Sequence, residues 1–180
     1  MNSTLRLIRT GTLAALLSTS AARATVYYWD TTSTGLWATG ANWSNNATSG
    51  GTTGTVPLST DTVVFDQSSV NGAEIIQLNA PASIAGITFN NTGTTNLVSN
   101  GSAQTLTLGT GGINIAGGAG AVTLGDGTAA NNVLISLSAG NQTWTNASSN
   151  AFTISDTAAP SPALRGLRLI SIRWVLASFR

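Results

Sequence analysis

Short runs of alternating apolar and polar residues recur along most of the chain. The alternation is plain in Leu106-Thr107-Leu108, Ile113-Asn114-Ile115 and Val122-Thr123-Leu124. A period of two places the apolar side chains on one face of a β-strand and the threonine and asparagine side chains on the other. No stretch between residues 25 and 160 carries an apolar pattern with helical spacing. The pattern predicts an all-β domain at residues 25–159, with strands at 62–65, 74–78, 83–89, 96–98, 105–108, 113–116, 121–124, 133–137, 142–145 and 152–154.

Turn sequences separate the predicted strands, as in Asn100-Gly101, Gly111-Gly112, Gly117-Gly118 and Asp126-Gly127. Glycine reaches a positive φ easily, which such turns need. Short strands at this spacing suit two architectures, a parallel β-helix or β-solenoid and a β-sandwich. The brevity of the strands and the abundance of Thr, Asn and Gly favour the solenoid, because polar ladders form on stacked strands. The irregular repeat length keeps the β-sandwich as the alternative.

Residues 1–24 have the three parts of a secretory signal peptide. Arg6 and Arg9 form a positive n-region, residues 11–17 form an apolar h-region, and Ala22-Arg23-Ala24 fits an A-x-A cleavage site. The sequence therefore predicts a signal-peptide helix that the export machinery removes after Ala24, and a secreted or outer-surface location. The alternative is an N-terminal helix that stays attached. No transmembrane span is expected, because a bilayer takes about 20 apolar residues and this run is shorter.

The last segment, residues 160–180, departs from the β pattern. It follows Pro160 and Pro162 and mixes arginines with Leu, Ile, Val and Trp174. We expect a non-β basic tail. It is either an amphipathic helix on a membrane surface or the product of a truncated or frame-shifted coding sequence. The abrupt change in composition favours the second interpretation.

Charged residues are rare and unevenly placed. Only 7% of the residues are charged, and the seven basic residues, all arginines, lie towards the two ends. The central chain carries only carboxylates, which disfavours a nucleic-acid partner because phosphates need cations. The chain also has no Cys, His or Lys. Their absence excludes Ser-His-Asp and Cys-His catalysis, lysine Schiff bases, and thiolate or imidazole metal sites. We therefore expect no enzymatic activity, no cofactor and no metal.

Three of the five tryptophans, Trp29, Trp37 and Trp43, lie close together at the start of the predicted domain. Indole rings bury a large apolar area, so the first interpretation is a packed plug that seals one end of the β structure. The alternative is a carbohydrate-binding or carbohydrate-active site. In that site the exposed rings would stack on sugars, and Asp30 or Asp61 would contribute a carboxylate.

Several motifs occur in a fixed order between residues 26 and 155. They are Trp29-Asp30, Gly35, Trp37, Gly40 and Asn42-Trp43-Ser44, then Pro57, Asp61, Val63 and Phe65, then residues 84–89 and 106–113, and finally Gln142-Thr143-Trp144 with Phe152-Thr153-Ile154. In this order and spacing they resemble the N-terminal portion of bacterial autotransporter-associated β-strand repeat proteins.

The resemblance implies a secreted or cell-surface passenger of Gram-negative bacteria, built as a right-handed parallel β-helix with an adhesive or structural role. It implies no common catalytic residues. The partners expected of such a module are cell-surface glycans or the surfaces of host or neighbouring cells. The Gly/Asn/Thr-rich repeat that normally follows in the family is missing after Asp156, so we expect this chain to be a fragment of a passenger.

Overall fold

The computed structural model describes residues 23–31, 34–47, 54–65, 72–138, 142–155 and 172–174. Within these ranges the chain is mostly β structure, with two short 3-10 turns at Gly40–Asn42 and Ala129–Asn131. The prediction of an all-β chain is confirmed. The strands are β1 Val26–Trp29, β2 Thr34–Leu36, β3 Trp43–Ser44, β4 Thr62–Phe65, β5 Glu74–Leu78, β6 Ala82–Phe89, β7 Thr95–Ser99, β8 Gln104–Ile115, β9 Val122–Leu124, β10 Val133–Leu137, β11 Trp144–Asn146, β12 Phe152–Ile154 and β13 Ile172–Trp174.

The strands form two sheets. In the larger sheet the order is β3-β1-β4-β6-β8-β11-β13, and β10 also pairs with β8. In the smaller sheet the order is β2-β5-β7-β9-β12. Among the described strands every pairing is parallel except that of β3 with β1. Parallel neighbouring strands need long connections. Here the connection between two neighbouring strands of one sheet contains a strand of the other sheet.

Apart from β3 and β10, each of which is followed by another strand of the larger sheet, the chain visits the two sheets in turn. We call one visit to the larger sheet followed by one to the smaller sheet a layer. The five layers are β1 with β2, β4 with β5, β6 with β7, β8 with β9, and β11 with β12. Because each strand pairs with the equivalent strand of the next layer, equivalent residues form ladders. One ladder in the larger sheet runs through Val64, Thr88, Asn114 and Thr145.

The core lies between the two sheets and repeats from layer to layer. Val63, Ile87 and Ile113 are cross-strand partners and all are buried. Ile76, Leu97 and Leu124 form the corresponding buried ladder of the smaller sheet. The residues that alternate with these core residues along each strand point outwards and are mostly Thr, Ser and Asn, as the period-two pattern requires.

Strand β8 differs from the sequence prediction because it is continuous through Gly111-Gly112, where a turn was expected. The two ladders on either side of this point are separated by a register shift between Ile84 and Gly86 of β6. A Cβ at Gly111 would lie 2.8 Å from the Ala85 carbonyl oxygen. The glycines therefore bend the strand where two backbones approach closely instead of ending it.

The predicted non-β tail needs a correction, because the structure places Ile172–Trp174 in a strand. This strand, β13, pairs in parallel with β11 and extends the larger sheet by one strand. The prediction rested on the loss of Gly, Asn and Thr, but an open strand edge pairs through backbone groups whatever the composition. The rest of the tail lies outside the described residues, as do residues 1–22 of the signal-peptide helix predicted at residues 1–24.

Candidate functional site

The tryptophan-rich start of the domain forms the first layer and the edge of the larger sheet. Trp29 ends β1, Trp43 begins β3, and Trp37 follows β2. All three side chains are buried, with exposed fractions of 0%, 0% and 2% for Trp29, Trp43 and Trp37. Strand β3 runs antiparallel to β1 and pairs Trp43 with Trp29. The edge that β1 would otherwise expose is therefore covered.

The Trp43 ring contacts the Trp29 and Trp37 rings edge to face, and all three rings contact Phe65 of the second layer. The ring centroids of Trp29 and Trp43 are 4.9 Å apart, and those of Trp37 and Trp43 are 4.8 Å apart. Phe65 lies 6.0 to 6.2 Å from all three rings, and it stacks on Phe89 of the third layer at 5.3 Å. Edge-to-face pairs at these distances stabilise a core beyond the area they bury. We call these five residues the aromatic cluster.

The three indole N–H groups differ in whether they have a hydrogen-bond acceptor. Trp43 donates its Nε1–H to the Trp37 carbonyl oxygen over 2.7 Å. The Nε1–H groups of Trp29 and Trp37 are buried and have no acceptor among the described residues. A buried donor without a partner is costly, so these two rings are held by packing and not by hydrogen bonding.

The small polar residues of the tryptophan-rich motif shape the first layer around the rings. A Cβ at Gly35 would lie 2.7 Å from Trp29 Cζ2, so only glycine leaves room for that ring. Asn42 donates from Nδ2 to the Leu36 carbonyl oxygen over 2.9 Å, and its own carbonyl accepts from the Asp30 N–H over 2.8 Å. The motif positions described here thus act in packing and in local backbone contacts.

The Asp61 carboxylate has a structural position. It is 5% exposed, Oδ1 accepts from the Thr25 N–H over 2.9 Å, and Oδ2 accepts from the Leu58 N–H over 2.8 Å. Its backbone carbonyl accepts from the Ala85 N–H of the third layer. The side chain therefore links the residue before β1 to the turn before β4.

Asp30 and Asp61 do not form a carboxylate pair. Val26 is the partner of Thr62, so Asp61 lies beside the start of β1, whereas Asp30 follows its end. Five residues of extended chain separate these points by about 16 Å. A glycosidase pair needs about 5 to 10 Å.

A sugar platform requires exposed ring faces, and Trp29, Trp37 and Trp43 present none. A shallow cleft of about 440 Å³ does open beside Trp37, lined by Val56, Leu58, Pro81 and other small or apolar residues. Leu58 is 62% exposed there. No acidic or basic side chain lines this cleft among the residues that the structure describes. Ligand binding by the tryptophans and by Asp30 or Asp61 stays a prediction, without support from their placement.

Stacked glycines at the turn between the two sheets were not singled out by the sequence reasoning. A Cβ at Gly120 would lie 2.0 Å from the Gly93 carbonyl oxygen, and a Cβ at Gly93 would lie 2.1 Å from the Gly72 carbonyl oxygen. Asn91 fixes this turn by donating to the Gly72 carbonyl oxygen and accepting from the Gly93 N–H. The recurrence of a glycine two residues before the second strand of the second, third and fourth layers was the available signal.

Asp126 holds the turn before β10, as the Asp126-Gly127 pair suggested. It accepts from the Thr128 N–H and hydroxyl and from Asn131 Nδ2 over 2.6 to 2.9 Å. The hydrogen bonds from the Thr128 and Asn131 side chains lower the pKa of this carboxyl below its ordinary 3.8. The group is exposed and stabilises a turn.

Within the part of the chain that the structure describes, no group of acidic side chains is arranged to hold a metal ion. No helix of the described residues is long and apolar enough to cross a membrane. Comparisons with protein-family models, with curated proteins and with solved structures gave no match. The likeness to autotransporter-associated β-strand repeat proteins therefore rests on the sequence motifs alone.

Proposed function

We propose that this chain is an exported, non-enzymatic surface module, a fragment of a β-solenoid passenger with a structural or adhesive role. The observation that carries the proposal is the repeated passage through the same two parallel sheets, layer after layer. In a solenoid each unit contacts only its neighbours, and the stack presents long, regular outer faces. Such faces suit a structural or adhesive part of a cell surface.

The outer faces of the layers are polar but nearly uncharged. In the larger sheet Thr88, Asn114 and Thr145 form one outward ladder. In the smaller sheet Asn96, Thr123 and Thr153 form another. Hydroxyl and amide groups donate and accept hydrogen bonds without the desolvation that charges demand. These ladders suit hydroxyl-rich partners such as cell-surface glycans, or the surfaces of host or neighbouring cells.

The solenoid architecture can be tested by adding one whole layer. Phe89 and Ile115 are ladder partners, so residues 90–115 span one repeat. A second copy of these residues inserted between Ile115 and Ala116 should fold with one cooperative transition and a similar Tm, because each layer needs only equivalent neighbours. The matched control is a copy of residues 90–102 at the same point, which should abolish cooperative unfolding by displacing every later strand. A β-sandwich would be disrupted by both insertions, and that result would refute the solenoid.

The surface role is tested in a Gram-negative host that expresses the full chain with an epitope tag. We expect the tag in the medium or on the outer surface, where added protease removes it from intact cells. Purified protein should bind cells and be retained by immobilised glycans. The paired change Asn96→Lys with Thr153→Lys, on the outer face of the smaller sheet, should reduce this retention without changing Tm. The paired change Thr88→Lys with Thr145→Lys tests the outer face of the larger sheet in the same assay. A tag confined to the cytoplasm, or retention that neither pair alters, would count against the proposal.

A further inference from the structure

Residue Thr25 is fixed by backbone contacts just before β1. Its N–H donates to Asp61 Oδ1 over 2.9 Å, and its carbonyl oxygen accepts from the Thr62 N–H over 3.0 Å. The preceding residues Arg23 and Ala24 are exposed and lie outside any strand. Their removal would take no packed side chain from the described structure.

The carboxylate that receives this N–H is buried, and its partners among the described residues are neutral donors. Asp61 is 5% exposed and accepts from the backbone N–H groups of Thr25 and Leu58. No arginine forms an ion pair with it among the described residues. A buried carboxylate without a counter-ion is expensive, and a cation at hydrogen-bond distance would offset that cost.

The predicted signal-peptide cleavage makes the Thr25 nitrogen such a cation. We propose that Asp61 is a receptor for the new N-terminus, and that removal of residues 1–24 creates a part-buried ion pair between the Thr25 ammonium and the Asp61 carboxylate. Signal peptidase adds water across the Ala24–Thr25 peptide bond. The C–N bond breaks, Ala24 keeps the new carboxylate, and the freed amine takes up a proton, since an α-amino group has a pKa of about 8.

The ion pair strengthens the contact that closes the first layer. The Asp61 backbone also accepts from the Ala85 N–H of the third layer, and β1 pairs with β4 from Val26 and Thr62 onwards. The ammonium adds a Coulomb attraction to a hydrogen bond in which the Asp61 carboxylate is already a charged acceptor. The processed chain is therefore more stable than its precursor, and the gain arises only after processing.

The chain offers a direct chemical readout because it contains no lysine. The α-amino group is then the only primary amine, and its acetylation by acetic anhydride is followed by tandem mass spectrometry, which separates it from acetylation of tyrosine. In the chain that begins at Thr25, acetylation should be at least tenfold slower in buffer than in urea. The control begins at Ala24, whose amino group extends past Asp61 into solvent, and it should react in buffer nearly as fast as in urea.

Stability supplies a second, independent measurement. The unfolding constant of the chain beginning at Thr25 should be about 5- to 30-fold smaller than that of the chain beginning at Ala24, since an ion pair replaces a hydrogen bond between the carboxylate and a neutral donor. Asp61→Asn keeps the shape and removes the charge, so it should abolish this difference in a double-mutant cycle. If Asp61→Asn does not fold, the acetylation rates of the two unsubstituted chains decide the matter.

Three results would overturn the inference. They are cleavage at another bond, seen by mass spectrometry of the exported protein, equal acetylation rates of the two chains, or a stability difference that persists in Asp61→Asn. The inference concerns processing and the first layer. Its failure would leave the proposed surface role untouched, and a cytoplasmic location would refute that role without bearing on the acetylation rates of the two purified chains.

Discussion

The stacked turn glycines give the sharpest test of how the layers pack. Gly120 lies above Gly93, and a Cβ at Gly120 would be 2.0 Å from the Gly93 carbonyl oxygen and 2.8 Å from that of Thr92. The substitution Gly120→Ala therefore forces two backbones apart. Gly72→Ala is the matched control, because a Cβ at Gly72 meets nothing within 4 Å in the described structure. The two variants make the same chemical change at the two ends of one stack.

The size of the effect follows from the close contact. The added carbon of Gly120→Ala must move about 1 Å from the carbonyl oxygen, and overpacking of this kind costs about 1 to 3 kcal/mol. The shift also disturbs the hydrogen bond from the Gly120 N–H to the Asn91 carbonyl, which contributes about 1 kcal/mol. The expected loss is about 2 to 4 kcal/mol in the free energy of unfolding. Gly72→Ala should be neutral or should stabilise by about 0.5 kcal/mol, because alanine restricts the unfolded chain.

Urea and thermal unfolding followed by circular dichroism measure both variants. For a chain of this length 1 kcal/mol shifts Tm by about 2 to 4 °C, so Gly120→Ala should melt about 5 to 15 °C below the unsubstituted protein. Gly93→Ala should behave likewise, since its Cβ would meet the Gly72 carbonyl oxygen at 2.1 Å. Equal stabilities for Gly120→Ala and Gly72→Ala would refute the close stacking of these turns.

Three further predictions concern single side chains. Trp43→Phe should lower the free energy of unfolding by about 1 to 3 kcal/mol more than Trp29→Phe in urea titrations, because only Trp43 loses a buried hydrogen bond; equal losses would contradict this. Asn91→Ala should cost about 2 to 4 kcal/mol in the same assay, because it leaves the Gly72 carbonyl without its donor and the Gly93 N–H without its acceptor; a loss below about 0.5 kcal/mol would show that the turn holds without it. Because folding lowers the pKa of Asp126, its ionised carboxyl stabilises the folded state above pH 3.8, and this stabilisation is lost as the pH falls through the lowered folded-state pKa. Asp126→Asn should therefore flatten the dependence of the free energy of unfolding on pH in that acid range. An unchanged dependence would contradict the assignment.

Much of the strand content could be predicted from the sequence. The predicted strands at 62–65, 74–78, 133–137 and 152–154 have the bounds that the structure shows. They are short runs rich in apolar and β-branched residues, flanked by turn residues, and both signals are local. The all-β class follows from these runs and from the period-two alternation of other strands.

The pairing of the strands could not be predicted in the same way. Nothing local to Thr88 specifies Val64 and Asn114 as its partners, because a ladder joins residues that are distant along the chain. The antiparallel strand β3 and the added strand β13 could not be predicted, for the same reason. Each pairs with an edge that exists only after the other strands have assembled.

The candidate site was predicted in its location but not in the roles of its carboxylates. The clustering of Trp29, Trp37 and Trp43 was visible in the sequence, but the participation of Phe65 and Phe89 depends on stacking between layers. Asp61 offered no local sign that it binds the Thr25 N–H, because that contact joins two segments only after β1 lies beside β4. The spacing of residues along the sequence cannot predict long-range hydrogen bonds of this kind.

The concentration of tryptophan in the first layer follows from the geometry of a stack. An inner layer buries its apolar ladder between two neighbours, so side chains of the size of Ile87, Leu97 and Ile113 fill its core. Among the described residues the first layer has the second layer on one side only, and its strand β1 would leave unpaired backbone groups at the edge of the larger sheet. Strand β3 satisfies that edge by pairing antiparallel to β1, and Trp43 packs its ring against those of Trp29 and Trp37. The bulky rings therefore fill the core of a layer that has one described neighbour, which is the placement that a plug requires.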